Sequence, residues 1–281
     1  MPAEYQISEH YNGSVRIKFW PGSHRYQLEG RKDYLIGVTT ATGMMDKSRP
    51  LVLWATRLAR DYLLELHKIG PAISALEIEV ACNLHAVKKE EAATSGSMVH
   101  AWAESYIKGE NPVVPEDEKV RNGVIAFLNW VRDNDVKFLA SEKRVYSKKH
   151  EYVGTMDCIF TMGRENHKII HAGDFKTSSG IYLEMAFQVS GYQQAETEEH
   201  GTVYGSKWIL RFQKEDKFEK DTVDDDGKIV KGKLVCAAGT FEAKEFSPEE
   251  HVEHFKGFLG CLELKKQDKI WEARHGYYSK K

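Results

Sequence analysis

Near residue 135 the chain changes its hydrophobic period, and that change limits the class of fold open to it. Upstream, apolar residues recur every three or four positions, as in Leu51, Trp54, Leu58, Tyr62 and Leu66, and again in Val120, Val124, Phe127, Leu128 and Val131. That spacing is the stripe of a helix with one face in a core. Downstream, residues 137–146, 152–162 and 168–177 read as three successive strands. A helix over 183–199 follows, ended by Gly201, then strands over 203–213 and 234–246 on either side of the turn-rich Asp224-Asp225-Asp226-Gly227. Ser247 as N-cap, Pro248 at the first position and acids in the first turn start a last helix that runs to about residue 266. Helices, then a sheet interrupted by a helix, predict an α/β fold: a mixed central β-sheet flanked by helices, with a helical N-terminal part.

The N-terminal part reads as short strands near 15–19 and 35–40, then helices over about 51–69, 73–93, 96–107 and 116–133, the first closed by Gly70-Pro71. No internal repeat or low-complexity linker divides the 281 residues, so one domain is expected, with 1–135 as strands and helices and 136–281 as the core. A chain of this length buries enough surface to need no staple. Its four cysteines, Cys82, Cys158, Cys236 and Cys261, show no CxxC or CxH spacing, and each reads as a buried free thiol. No apolar run approaches a bilayer span, and residues 1–12 lack a signal or transit pattern, so no membrane partner and a cytoplasmic location are expected. Lys and Arg total 40 against 42 Asp and Glu, a net charge of -2. That balance excludes a generally polybasic nucleic-acid binder but leaves room for a local basic groove.

The most informative segment pairs Gly154-Thr-Met-Asp157 with Gly173-Asp174-Phe175-Lys176-Thr-Ser. Strand side chains alternate faces, so Met156, Cys158, Phe160 and Met162 are expected on the core face and Asp157 on the other. Asp174 and Lys176 share a face. The midpoint of 157 and 174 falls inside the polar stretch 163–167, so an antiparallel hairpin sets Asp157 opposite Asp174, ~5 Å apart at Cβ. Two carboxylates that close repel unless a cation lies between them, and Mg2+ or Mn2+ takes such oxygen ligands. Lys176 would face the same point and stabilise an anionic transition state. The Asp/Glu-x-Lys triplet alone carries no information, since it recurs at Asp117–Lys119, Glu215–Lys217 and Glu263–Lys265 among others. Its context singles out 174–176: a buried-looking strand, a second Asp across the hairpin, and the polar loop Thr177-Ser178-Ser179-Gly180.

Gly154-x-x-Asp157, Asp174-x-Lys176-Thr-Ser and Gln188-x-x-x-Tyr192 together resemble the RecB-like branch of the PD-(D/E)XK nucleases. Ser97-Met98-Val99-His100-Ala101 resembles the upstream histidine helix of that branch. Val38-Thr39-Thr40 with Pro50–Ala55 is similar to its phage-type and mitochondrial-genome-maintenance-type exonucleases, so the resemblance runs from about Val38 to Ala195. It implies a restriction-endonuclease-like core and a Mg2+- or Mn2+-dependent deoxyribonuclease acting from free ends on single-stranded DNA. His100, Asp157, Asp174 and the Phe175 carbonyl would be metal ligands, Lys176 the catalytic lysine, and Gln188 and Tyr192 would line the site. Glu142 fits a strand acid of the family or an exposed strand glutamate, and Glu104 a supporting or solvated acid. The family's iron–sulfur members use clustered cysteines, which this chain lacks, so no such cluster is expected. Recombination, repair or replication proteins are the partners the resemblance implies.

Phosphate contacts need Lys and Arg beside the metals. Lys143, Arg144, Lys148 and Lys149 precede the Asp157 strand, and Ser178 and Ser179 follow the lysine. Lys47, Arg49, Arg57 and Arg60 surround the first helix. Trp54, Trp102, Trp130 and Tyr106 either stack on unpaired bases or pack in the core. Three other functions stay open at this point: a DNA-binding or recombination-assembly module with weak or no catalysis, a structure-specific endonuclease of the same superfamily, and a zinc hydrolase built on His100 and Glu104.

Overall fold

Two helix starts are closed by their own side chains. The Ser74 hydroxyl accepts from the Glu77 N–H and the Glu77 carboxylate accepts from the Ser74 N–H, and Ser247 and Glu250 repeat the arrangement behind Pro248. Such boxes satisfy amide donors that a helix end leaves unpaired. The computed structural model describes residues 4–70, 72–163, 168–219, 222–223, 229–230 and 232–276. Strands β1 (Gln6–His10), β2 (Val15–Trp20) and β3 (Arg25–Leu28) form a small antiparallel sheet. Then come β4 (Ile36–Gly37), α1 (Val38–Thr42), α2 (Ser48–Ile69), α3 (Ala75–Ile107), α4 (Glu118–Asp133), β5 (Lys137–Ser147), β6 (Tyr152–Thr161), β7 (Ile170–Lys176), α5 (Leu183–His200) and β8 (Tyr204–Phe212). Four short strands, β9 (Lys217–Phe218), β10 (Thr222–Val223), β11 (Ile229–Val230) and β12 (Leu234–Cys236), precede β13 (Phe241–Phe246) and α6 (Pro248–His275).

Several boundaries differ from the sequence expectation. The β-prone stretch 35–40 pairs only at Ile36–Gly37 and turns helical at Val38, because Val38 and Ala41, three apart, bury against α5 and α6. The two helices expected over 73–93 and 96–107 are one, α3, with Gly96 in its interior. A Cβ at Gly96 would stand 2.7 Å from Thr177 Oγ1, so the glycine is the contact that lets α3 lie on the end of β7. The strand expected over 234–246 is broken into β12 and β13, with Gly239 between them at φ 76°. The last helix continues past residue 266 to His275, where Gly276 caps it at φ 61°. Cys158 and Cys261 are buried free thiols, but Cys82 is exposed on α3 and Cys236 is half-buried. Residues 164–167 of the hairpin loop, the Asp224–Gly227 turn, Pro71 and Met1 lie outside the described residues.

The main sheet has six strands in the order β13-β8-β7-β6-β4, with β5 also paired to β6. It is mixed: β7 and β8 run parallel through the α5 crossover, β4 and β6 run parallel, and the remaining pairs are antiparallel. Strand β5 covers one edge of β6 from Tyr152 to Thr161. Strands β4 and β7 must therefore share the other edge, β4 at Tyr152–Val153 and β7 at Cys158–Phe160. Between them the edge of β6 is uncovered over residues 154–157, and the sheet forks at Asp157.

Helices cover both faces. Tyr152, Met156, Val189, Tyr192 and Phe258 belong to the core between the sheet and α1, α5 and α6. Phe127, Trp130, Cys158, Phe160, Phe175 and Phe212 belong to the core under α4. Complete burial of a side chain such as Phe127 contributes ~2 kcal/mol. Met156 thus does not share the face of Cys158 and Phe160, contrary to simple alternation. The change of face coincides with Glu142, the residue opposite Asp157 in the β5–β6 register, which adopts φ 47°. Ile17, Phe19, Tyr26, Tyr146 and Val153 fasten the N-terminal sheet to the main one. Helix α2 buries no residue, and it pairs with the exposed first half of α3 as a hairpin. No helix among the described residues is long and apolar enough to cross a membrane.

Candidate active site

The fork opens into a cavity of about 600 Å3, lined by His100 and Glu104 from α3, Glu142 from β5, Asp157 from β6, Asp174 and Lys176 from β7, and Gln188 and Tyr192 from α5. The register of β6 and β7 is Cys158↔Gly173, so one further step sets Asp157 opposite Asp174, as the loop midpoint requires. The strand ladder stops there. Asp157 Oδ2 instead accepts the Phe175 N–H at 2.6 Å, and it lies 3.7 Å from His100 Nδ1. Asp174 Oδ2 is ion-paired with the Lys176 ammonium. Gln188 Nε2 donates to Tyr192 Oη at 2.9 Å and reaches Asp174 Oδ1 at 3.4 Å. Their spacing of four puts Gln188 and Tyr192 on one face of α5. Gly154 makes room for that face, since a Cβ there would come within 2.4 Å of the Tyr192 ring.

Burial and crowding set the electrostatics. Among the described residues lining the cavity, Glu142, Asp157 and Asp174 share one lysine, Lys176, whose ammonium is already paired with Asp174, while the Glu104 carboxylate pairs with Lys108. Desolvation, reinforced by the Asp157 charge, pushes Glu142 up to about 8. Desolvation pushes Asp174 up to about 6 although Lys176 opposes the rise, and it raises Asp157 as well. Burial works against the Lys176 ammonium, yet the carboxylates of Asp174 and Asp157 outweigh it and hold the lysine protonated. Burial, with help from Lys176, lowers His100 to about 4, so its imidazole is neutral at pH 7. Burial, more than mutual repulsion, is what raises these carboxyls.

Among the described residues, no three His, Cys, Asp or Glu side chains already converge as a ligand cage. The donor chemistry nonetheless fits a hard divalent cation. Carboxylate oxygens and one neutral imidazole nitrogen face a common cavity, a donor set of the kind such an ion takes. Phe175 turns its ring into the α4 core, 5.6 Å from the Phe127 centroid, where it also packs edge-on against the His100 ring at 6.1 Å, and its backbone N–H is bonded to Asp157.

The residues expected to hold DNA divide. Lys143 and Arg144 line an adjoining cavity of about 450 Å3 that shares Glu104 and Glu142 with the site. There Lys143 is paired with Glu196 at 2.8 Å, and Arg144 donates to Gln6 and covers the Phe19 ring at 4.8 Å. Lys148 and Lys149 line neither cavity. They sit in the β5–β6 turn, and the five residue steps from Tyr152 to Asp157 set that turn ~17 Å from Asp157 along the strand. Lys148 lies over the Tyr11 ring at 5.7 Å and the Lys149 N–H donates to Glu198. Ser178 and Ser179 line a cavity of about 690 Å3 on the opposite flank, which shares Ala92 and Thr177 with the site. Ser178 Oγ is held by the Gly180 carbonyl at 2.8 Å and Ser179 Oγ by the Tyr182 hydroxyl at 2.9 Å. Of the aromatics, Trp102 and Trp130 are buried, Tyr106 stacks on Trp102, and Trp54 faces this flanking cavity.

Sequence reasoning missed Tyr26, which enters the site wall from the N-terminal sheet and bonds Thr155 Oγ1 at 2.8 Å. It also missed Lys214, whose buried ammonium donates to Ser95 Oγ at 2.6 Å and to the Ala92 carbonyl at 3.1 Å. No spacing signal marks either residue. No family model matches the chain, and no curated protein matches it.

Proposed function

We propose that the chain is a divalent-metal-dependent deoxyribonuclease with a PD-(D/E)XK-type core of the RecB-like branch, hydrolysing phosphodiester bonds from free ends of single-stranded DNA. One observation carries the reading: His100, Asp157, Asp174, Lys176, Gln188 and Tyr192, from four separate elements, line a single cavity at the sheet fork. Asp157, Asp174 and His100 would hold Mg2+ or Mn2+, with Glu142 and the Phe175 carbonyl as further oxygen donors. A bound cation would supply Lewis-acid stabilisation of phosphate charge and a more acidic water. The protein's own contribution follows from its side chains. Lys176, held protonated, places a fixed positive charge where a phosphoryl oxygen gains negative charge. A protonated lysine is not a base, so its role is electrostatic. Gln188 ties Asp174 to Tyr192 and fixes the carboxylate's orientation. The cluster of His100, Asp157, Asp174 and Lys176 in one cavity stands against a purely architectural DNA-binding module.

The site cavity continues on both flanks, through Glu104 and Glu142 on one side and Ala92 and Thr177 on the other. That continuity favours a second reading, cleavage inside a strand. Linear and circular single-stranded DNA, each incubated with Mn2+ and with a chelator, test both. Loss of linear DNA only, in metal only, is the result expected of an exonuclease. Cleavage of the circle in metal establishes the endonuclease reading, and stable DNA in every lane refutes both.

A further inference from the structure

The flanking cavity of about 690 Å3 lies between the α2–α3 hairpin and the loop that follows Lys176. Two of its features are costly without an occupant. Phe218 is 57 % exposed on a strand of two residues, and Trp54 faces the cavity from α2, a helix that buries nothing in the core. Lys88, Lys119, Lys214 and Lys217 line the same cavity; Lys88 is paired with Glu91 at 3.0 Å and Lys119 with Glu215 at 2.6 Å, whereas Lys214 and Lys217 are held by neutral groups. Lys214 is fixed by Ser95 and Ala92, and Lys217 Nζ donates to the Ser179 carbonyl at 2.9 Å, so both ammonium groups are tethered to the wall. Thr177, the residue after Lys176, lines both this cavity and the candidate active site. A strand with a phosphate at Lys176 can therefore continue into this cavity without leaving the protein surface.

We propose that this cavity is the subsite for the one or two unpaired nucleotides adjoining the scissile phosphate, with Trp54 and Phe218 stacking their bases and Lys217 facing their phosphates. Aromatic faces beside tethered cations are the means by which proteins hold single strands without reading sequence. The volume, about 690 Å3, is that of a small-ligand pocket and accommodates one or two unpaired nucleotides. The inference rests on the nuclease reading but is tested apart from it.

The test measures binding of a short fluorescein-labelled oligothymidylate by anisotropy in chelator, where no cleavage occurs. Trp54→Ala and Phe218→Ala are each expected to weaken single-strand binding about tenfold. Trp54→Phe and Phe218→Tyr are expected to restore it. Trp271→Ala, which removes an exposed aromatic of α6, is expected to leave it unchanged. Lys217→Ala is expected to flatten the salt dependence by roughly 0.7 in the log–log slope, one phosphate contact. Circular dichroism confirms that each variant is folded. Alanine variants that bind as tightly as the wild type overturn the subsite, as does a wild type that binds no single strand. Weakened binding in the variants, with no cleavage by the wild type in any metal, supports the subsite and overturns only the nuclease reading.

Discussion

Replacing Glu142 by glutamine should stabilise the metal-free protein, and by an amount that depends on pH. Burial and the neighbouring Asp157 charge raise the Glu142 carboxyl from its ordinary 4.5 to about 8. A carboxyl raised on folding binds its proton in the native state while the unfolded chain has released it. Stability is therefore lost as pH rises from 4.5 towards 8, and the penalty is absent below 4.5. At pH 7 the gap above the unfolded value amounts to ~3 kcal/mol at ~1.4 kcal/mol per unit. Partial exposure and relaxation of the neighbouring side chains cut this to ~2 kcal/mol. Glutamine keeps the shape and cannot ionise, so Glu142→Gln should gain that amount near neutral pH and nothing near pH 4.5. For a chain of this size the gain corresponds to ~4 °C in melting temperature. Differential scanning fluorimetry across pH, in chelator, reads it directly. An equal gain at all pH values, or none at pH 8, would refute the picture of a cavity crowded with acids.

Other outcomes follow from the same geometry. Mn2+ should raise the melting temperature of the wild type, as any ligand specific to the native state does, and Asp174→Asn should abolish most of that rise. Gly96→Ala should destabilise by ~1–3 kcal/mol, because its Cβ would stand 2.7 Å from Thr177 Oγ1, whereas Gly260→Ala, with open space in α6, should stabilise by ~1 kcal/mol. Paired chemical denaturation of the two variants gives opposite signs if α3 really rests on β7 through Gly96. Ser247→Ala should cost ~1 kcal/mol in the same assay by opening the α6 capping box.

What could be read in the sequence was what neighbours along the chain decide. The β6–β7 register followed from a short loop and two carboxylates, and the caps at Ser247 and Gly201 followed from local backbone chemistry. The fork itself was not legible. It depends on the two-residue strand β4 pairing with β6 more than 110 positions away, and no local pattern specifies that. The break expected in α3 at Gly96 failed for a related reason. The glycine serves a contact with Thr177, 81 positions on, that outweighs its poor helix propensity. Lys148 and Lys149, close to Asp157 in sequence, are carried away from it in space by the length of β6, a distance that sequence proximity alone does not reveal. Met156 escaped simple alternation at the point where Glu142, across from Asp157, takes a left-handed backbone conformation that pattern reasoning does not anticipate.

The central claim is that Lys176 supplies fixed positive charge to metal-dependent cleavage of DNA. Single-turnover cleavage of linear single-stranded DNA, compared between the wild type and Lys176→Ala in Mg2+, in Mn2+ and in chelator, tests it most directly. The wild type should cleave in metal and not in chelator, and a folded Lys176→Ala variant should lose roughly 10²–10³-fold or more of that rate. Undiminished cleavage by that variant, or cleavage by the wild type in chelator, would contradict it.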